Sequence, residues 1–336
     1  MTSLKVLLHC PALNGVHVPI PMMTTAALRS KPLDRSTECL SKTGFPVVHV
    51  LPRAHLVLAD ALQWMAERDE NSIHAIVTDP PYGLKEYEEE DHAKLRKGKG
   101  GVWRIPPSFD GAQRSPLPRF TVLSAKEREQ LTTFFKAFAF QAQRILVPGG
   151  HLVIASNPLL STTTFAALES SALEKRGELI RVVKTMRGGD RPKNAETEFA
   201  SVSVMPRSTW EPWGLFRKPI SERTVADNLR KWGTGGFMRI SDDEPFRDLV
   251  ECAPARPSER ALAPHPSLKP QKLMRHIVRA ALPLGTGIVY DPFAGSGSTL
   301  AAAAYLGYDA IGTERDPLYF SLAANAIVAL ATLESR

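Results

Sequence analysis

Ile73-His74-Ala75-Ile76-Val77-Thr78-Asp79-Pro80-Pro81-Tyr82 is the stretch on which the reading of this chain turns. Its first six residues form an apolar run of strand length. Two prolines cannot extend a ladder, so the strand ends at Thr78 and the chain turns. A carboxylate (Asp79), a proline carbonyl (Pro80) and a ring (Tyr82) are thereby gathered at a strand's C-terminal end. In open α/β sheets ligands bind there. An ordinary surface turn also collects Asp and Pro, so the stretch needs a second signal.

That signal lies far along the chain. Ile288-Val289-Tyr290-Asp291-Pro292-Phe293-Ala294-Gly295-Ser296-Gly297-Ser298-Thr299 reads as strand, tight glycine loop and helix start. Gly295 and Gly297 allow close approach of backbone N–H groups to a ligand. No Gly-Lys-Ser/Thr follows, which excludes a Walker A loop, and Leu300 stands where a dinucleotide fingerprint has its third glycine. Further on, Asp309 to Glu314 is a short strand ending in an acid, at a spacing that suits a carboxylate on ribose hydroxyls.

Together these residues resemble the β class of S-adenosylmethionine-dependent amino-methyltransferases of DNA. His265-Pro266-Ser267-Leu268-Lys269-Pro270 is similar to that class's His-Pro-x-x-Lys-Pro element, and Leu58-Ala59-Asp60-Ala61-Leu62 to its Gly-Asp-x-Leu element, with Ala59 in place of Gly. The resemblance covers roughly residues 46 to 330, and all four elements stand in the family's order. It implies a circularly permuted, Rossmann-like α/β methyltransferase sheet with an inserted target-recognition region. It also implies S-adenosylmethionine as cofactor, double-stranded DNA as substrate and, for some members, a partner restriction endonuclease or defence system. By resemblance, Asp79, Pro80, Pro81 and Tyr82 are the catalytic set. Asp60 lies beside the cofactor's adenine, Asp291, Phe293, Gly295 and Gly297 shape its pocket, Glu314 holds its ribose, and Ser267 and Lys269 lie near its methionine end. Asp60 also reads as a helix N-cap, and Lys269 as a helix-start lysine with its charge in water.

The bulk properties agree. A chain of 336 residues, 43% hydrophobic, supports one large core with an inserted subdomain. Its net charge of +7 favours polyanionic partners without proving them. Cys10, Cys39 and Cys252 lack paired spacing, which argues against disulfides or zinc and for a reducing, cytoplasmic compartment. No apolar run is long enough to span a membrane, and Met1 to Leu8 is too weak for a signal peptide.

Taken in order, residues 1–45 read as a flexible arm. Residues 46–186 form the catalytic half, with short strands at Val47–Leu51 and His55–Leu58. A long loop over 83–120 carries an acidic run and a basic glycine run, suiting either a flap over DNA or a solvated charged segment. Ser124 and Glu127 form a capping box for a helix to Leu146 that Pro148-Gly149-Gly150 stops. A strand is expected at 151–155, a helix at 161–175 and a strand at 178–186. Phe134, Phe135, Phe138 and Phe140 read as core. Residues 187–263 hold three of the five tryptophans, and seven Arg or Lys against three acids between 207 and 239. That mixture suits phosphate contact and stacking, or a small insertion with its own aromatic core. Arg187, Arg191 and Lys193 are expected on phosphates. Arg217 and Arg230 flank a candidate helix (221–231) and are expected on base edges. Residues 264–336 form the cofactor-binding half.

The Asp in front of Pro-Pro-Tyr favours adenine N6 over cytosine N4 as the methylated amine. Methylation of RNA or of protein glutamine, and a non-catalytic DNA-binding relative, are the other readings. The activated methyl arrives on the cofactor, so no metal is required. The assembly expected is a single chain or a homodimer.

Overall fold

The computed structural model describes residues 9–11, 17–19, 39–40, 44–81, 124–187, 191–192, 194–206, 208–265 and 267–334. Near the N-terminus, β1 (His9–Pro11) and β2 (His17–Pro19) pair as a short antiparallel ribbon, so the expected arm contains at least this much regular structure.

Among the described residues the main sheet has nine strands. One edge is β3 (Val47–Leu51), antiparallel to β4 (Ala54–Leu58). Five neighbouring strands run parallel: β4, β11 (Asp309–Glu314), β10 (Ile288–Asp291), β5 (Ile73–Thr78) and β6 (Leu146–Ala155). On the other side β8 (Ser208–Arg217) lies antiparallel to both β6 and β7 (Glu174–Arg187), and β9 (Leu249–Glu251) ends the sheet parallel to β7. The full order is β3-β4-β11-β10-β5-β6-β8-β7-β9.

The central strands are buried on both faces, and their two sets of side chains feed two cores. Ile76, Leu152 and Ile154 face α1 (Ala61–Ala66), α2 (Ala125–Ile145) and α3 (Ser161–Glu169). After β8 come α4 (Val225–Trp232) and α5 (Pro257–Leu262). Ala75, Val77, Val153 and Ala155 face α6 (Gln271–Ala281), α7 (Ser298–Tyr305) and α8 (Pro317–Thr332). The result is a three-layer α/β architecture. Glu259 of α5 accepts the Gln271 N–H at 2.7 Å, which gives a buried donor at the start of α6 its partner. In the core beneath α1, Trp64 stacks on Tyr290 at 4.6 Å, a pair worth about 1 kcal/mol beyond its buried area. Phe135 and Phe138 are core as expected, whereas Phe140 is exposed. The capping box of α2 forms: Ser124 Oγ accepts from the Glu127 N–H, and the Glu127 carboxylate from the Ser124 N–H.

Three local expectations change. Pro148-Gly149-Gly150 does not follow a helix end as a loop but lies inside β6, which begins directly at Leu146. Ile73 pairs with Leu146 and Ala75 with His151, so the extra residues form a bulge, with Gly149 at φ 81°. The helix expected to 175 stops at Glu169, because Glu174 and Lys175 already pair with Arg217 and Phe216 of β8. Finally, residues 208–217 are not part of a separate insert. They form an interior strand of the main sheet, with Trp213 fully buried among the residues that face α6 to α8.

Candidate active site

From the middle of the sheet, β11, β4 and β3 lie to one side of β10, and β5, β6 and β8 to the other. The β10–β5 boundary is therefore the switch point, where a crevice opens beyond the strand ends. Asp79 follows β5 and the glycine loop follows β10, so the two decisive stretches of sequence meet there.

The strand ends are buckled together by Asp291, which is 3% exposed. It accepts hydrogen bonds from Thr78 Oγ1 at 2.7 Å and from the Phe293 N–H at 3.1 Å, and Thr299 bonds to it from α7. Burial pushes its pKa up to about 6, against the pull of these hydrogen bonds. Asp291 thus ties β5, β10 and α7 together. Phe293 packs at the other side of the loop, 5.7 Å from the ring of Phe138 and 6.1 Å from that of Phe134.

The glycine loop is fixed from two directions. Gly295 has φ 51° and donates its N–H to Glu314 Oε2 at 2.9 Å. Gly297 has φ 79° and precedes α7 without a side-chain cap. The two glycines answer different needs. A Cβ on Gly297 would collide with Ile327 of α8, so this glycine serves helix packing. A Cβ on Gly295 would come within 3.3 Å of the His265 ring. His265 therefore covers the loop, and it also accepts the Ser267 N–H at 3.1 Å and packs against Tyr319. Burial, with the nearby Lys269 charge, lowers its pKa to about 4, so it is neutral at pH 7. It belongs to a motif visible in the sequence, but the sequence gives no sign that it touches Gly295.

Glu314 ends β11 beside the end of β4, where the Ala59 N–H donates to its carbonyl at 3.0 Å. Its Oε1 accepts the Asp316 N–H at 2.9 Å, and burial raises its pKa. One residue past Ala59, Asp60 caps α1 through Oδ1, which accepts from the Leu62 and Gln63 N–H groups. The N-cap reading of Asp60 holds, and it leaves the ligand reading open. A carboxylate offers about four lone-pair sites, so Asp60 and Glu314 both keep acceptor capacity for an amine or a hydroxyl. Two acids on adjacent strand ends, next to a positive-φ glycine loop and an uncapped helix start, fit a nucleoside with a charged tail.

Lys269 is not solvated. It is 9% exposed, with Nζ 2.8 Å from Asp79 Oδ2 and 2.8 Å from Glu211 Oε1. Desolvation lowers the lysine's pKa, but Asp79 and Glu211 outweigh it and raise the value overall. The structure thus brings Lys269 to the Asp79 carboxylate. Glu211, on β8, is the second acid on Lys269 and was missed by the sequence reading. Burial raises its pKa, yet Lys269 and Arg181 together hold it down at about 2. A lone acid among Trp210, Pro212 and Trp213 in a strand was the available signal. Pro80 is buried, Pro81 and Ser267 are exposed, and Tyr82 lies outside the described residues.

The basic residues divide. β7 and β8 extend past the end of β6: Ala155 pairs with Trp213, whereas Arg187 pairs with Ser208 further on. Arg187 therefore sits at the end of the sheet where Asp79 is, and Arg191 beyond it is exposed. Lys193 and the 83–120 loop lie outside the described residues. Arg217 does not fit base contact. It is 7% exposed, grips Glu174 through Nε (2.9 Å) and Nη2 (2.6 Å), and donates to the Gly235 carbonyl. Arg230 is exposed on α4 and paired with Asp227, but α4 is tied by Asn228 to the Pro148 carbonyl. Pro148 is at the start of β6, the opposite end of the sheet from Asp79, so Arg230 too is misplaced for reading bases near the site.

An open sheet that reverses at such a crevice, with a glycine loop on one side and a proline-stiffened acid on the other, is the Rossmann-like fold of S-adenosylmethionine-dependent methyltransferases. Two solved structures share it. One is the cytosine-N4-specific PvuII DNA methyltransferase (TM-score 0.53, 16% identity, 84% of this chain and 87% of that one). The other is TTHA0409 of Thermus thermophilus, a candidate DNA modification methylase solved with S-adenosyl-L-methionine (TM-score 0.52, 21% identity, 82% and 95%). The sequence profile of the N6/N4 DNA methylases matches residues 73–325, and the chain belongs to that family. It is also similar to the type II methyltransferase M.HindIII of Haemophilus influenzae, 25% identical over 292 residues that cover 80% of this chain and 93% of that protein. The protein is a DNA methyltransferase that uses S-adenosylmethionine. Among the described residues no helix is long and apolar enough to cross a membrane.

Proposed function

We propose that the chain methylates the exocyclic N6 of adenine in double-stranded DNA, at a base rotated out of the helix. The observation that carries this reading is the Asp79 carboxylate at the end of β5, beside the glycine loop. PvuII methyltransferase is cytosine-N4-specific and has the same fold, so the fold leaves the base open. The choice of adenine rests on Asp rather than Ser before Pro80-Pro81-Tyr82.

S-adenosylmethionine supplies an activated methyl on its sulfonium. The residues of this chain then have two tasks. Asp60, Glu314 and the Gly295 loop hold the cofactor, with Phe293 and Ser267 at its borders. Asp79 and the Pro80 carbonyl each accept an N–H from the target amine. That amine is a poor nucleophile because its lone pair is delocalised into the ring. Two acceptors favour a more tetrahedral nitrogen and direct the lone pair toward the methyl, and much of the rate comes from that alignment. Tyr82 stacks on the base, which must leave the duplex to reach the crevice.

In this reading the protein acts inside the cell, as a stand-alone modifier or as the protective partner of a restriction endonuclease, alone or as a homodimer. Residues 187–206 and the 83–120 loop hold the DNA, 46–186 supply the catalytic half and 264–336 the cofactor half. The experiment is sequencing for modified bases in DNA from cells expressing the protein. N6-methyladenine at a defined site, lost in Asp79→Ala, is expected. N4-methylcytosine instead would overturn the base assignment, and no DNA modification would overturn the activity.

A further inference from the structure

Behind Asp79 runs a buried chain of alternating charges drawn from four distant parts of the sequence. Lys269 bridges Asp79 Oδ2 and Glu211 Oε1, each at 2.8 Å. Glu211 Oε2 accepts from Arg181 Nη1 at 3.0 Å and from Trp213 Nε1 at 3.3 Å. Arg181 is 5% exposed, and its other nitrogens donate to the Cys252 carbonyl (3.2 Å) and the Ala253 carbonyl (2.9 Å). Arg181 and Glu211 are direct partners across the β7–β8 ladder, so both point to one face of the sheet. The chain is thus anchored at its far end by backbone and strand pairing, and ends at the reacting centre.

A lysine is a point charge on a flexible four-carbon stem. Without Glu211 it would lose the contact that opposes Asp79 and could shift around that carboxylate. With Glu211 on its other side, Nζ has one position and shares its charge between two acids. We propose that Glu211, backed by Arg181, is a positioning residue for methyl transfer: through Lys269 it fixes the orientation of the Asp79 carboxylate and keeps it a strong acceptor for the target amine. Removal of the partner that orients a metal-ligating residue costs about 10- to 100-fold in affinity or activity, and a loss of that order is expected here. The proposal rests on Asp79 as the acceptor of the amine.

The test measures kcat and KM for S-adenosylmethionine on duplex DNA, with thermal melting of each variant. Glu211→Gln is expected to lower kcat about 10- to 100-fold with KM for the cofactor unchanged. Glu211→Asp keeps the charge but falls one methylene short of Lys269, so its kcat should fall by a smaller factor. This second variant keeps the proposal testable if the Gln variant does not fold. In a Lys269→Met background Glu211→Gln should change kcat no further, because its effect travels through the lysine. Wild-type kcat in a folded Glu211 variant, or losses that multiply in the double variant, would overturn the proposal. Turnover by Asp79→Ala would instead overturn the reading of Asp79 itself. An inactive Asp79→Ala beside fully active Glu211 variants would leave that reading standing and remove only the role of Glu211.

Discussion

Lys269→Met should destabilise the protein strongly at neutral pH and much less in acid. Methionine keeps most of the stem's volume and removes the charge, so packing is nearly conserved while Asp79 and Glu211 lose a common partner 2.8 Å from each. Breaking a buried ion pair from one side costs about 3–5 kcal/mol. An independent figure comes from Glu211, whose side chain is 16% exposed and whose pKa falls from 4.5 to about 2 in the folded chain. A folded-state pKa below the unfolded one stabilises the protein above pH 4.5, and the benefit is lost as pH falls toward 2. At pH 7 the full shift corresponds to about 3 kcal/mol, and at pH 3 to about 1 kcal/mol. Part of the shift belongs to Arg181, and the loss of the Lys269 contact at Asp79 adds its own cost, so on the order of 3 kcal/mol is expected at pH 7. Urea denaturation of both proteins at pH 7 and pH 3 reads the difference directly. A Lys269→Met protein as stable as the wild type at pH 7, or a gap of equal size at both pH values, would contradict this account of the buried charges.

Asp79→Ala should lower methyl transfer at least about a hundredfold, as loss of one preorganised hydrogen-bonding group does elsewhere. Calorimetry should show cofactor binding retained, since Asp79 serves the base. Gly297→Val should lower the melting temperature sharply, because its Cβ collides with Ile327 and its φ is 79°. Gly295→Ala, with its nearest described contact the His265 ring at 3.3 Å, should fold and bind S-adenosylmethionine more weakly; a normal affinity would remove the loop from the cofactor site. Replacing Arg187, Arg191 and Lys193 together by Ala should weaken DNA binding and flatten its salt dependence. An unchanged slope in titrations at two salt concentrations would move phosphate contact elsewhere.

The local chemistry was legible in the amino-acid order. Pro80 and Pro81 had to end β5, the apolar runs had to be buried strands, and Ser124 with Glu127 had to cap α2, because each follows from residues within a few positions of one another. The motif order likewise carried the family and the cofactor. What followed from pairing across the sheet could not be read this way. The period of β8 does not say which strands flank it, so residues 208–217 looked like part of an insert, and Arg217 looked suited to base edges when Glu174 and Gly235 hold it. Pro148-Gly149-Gly150 signals a break, yet only the register of β5 against β6 makes that break a bulge. Lys269 is the clearest case. A lysine before a helix is ordinarily solvated, and its burial between Asp79 and Glu211 depends on contacts 190 and 58 residues away in the chain. Ion pairs of that range form only once the strands have taken their places, so their partners are fixed by the packing of the sheet and not by any neighbouring residue.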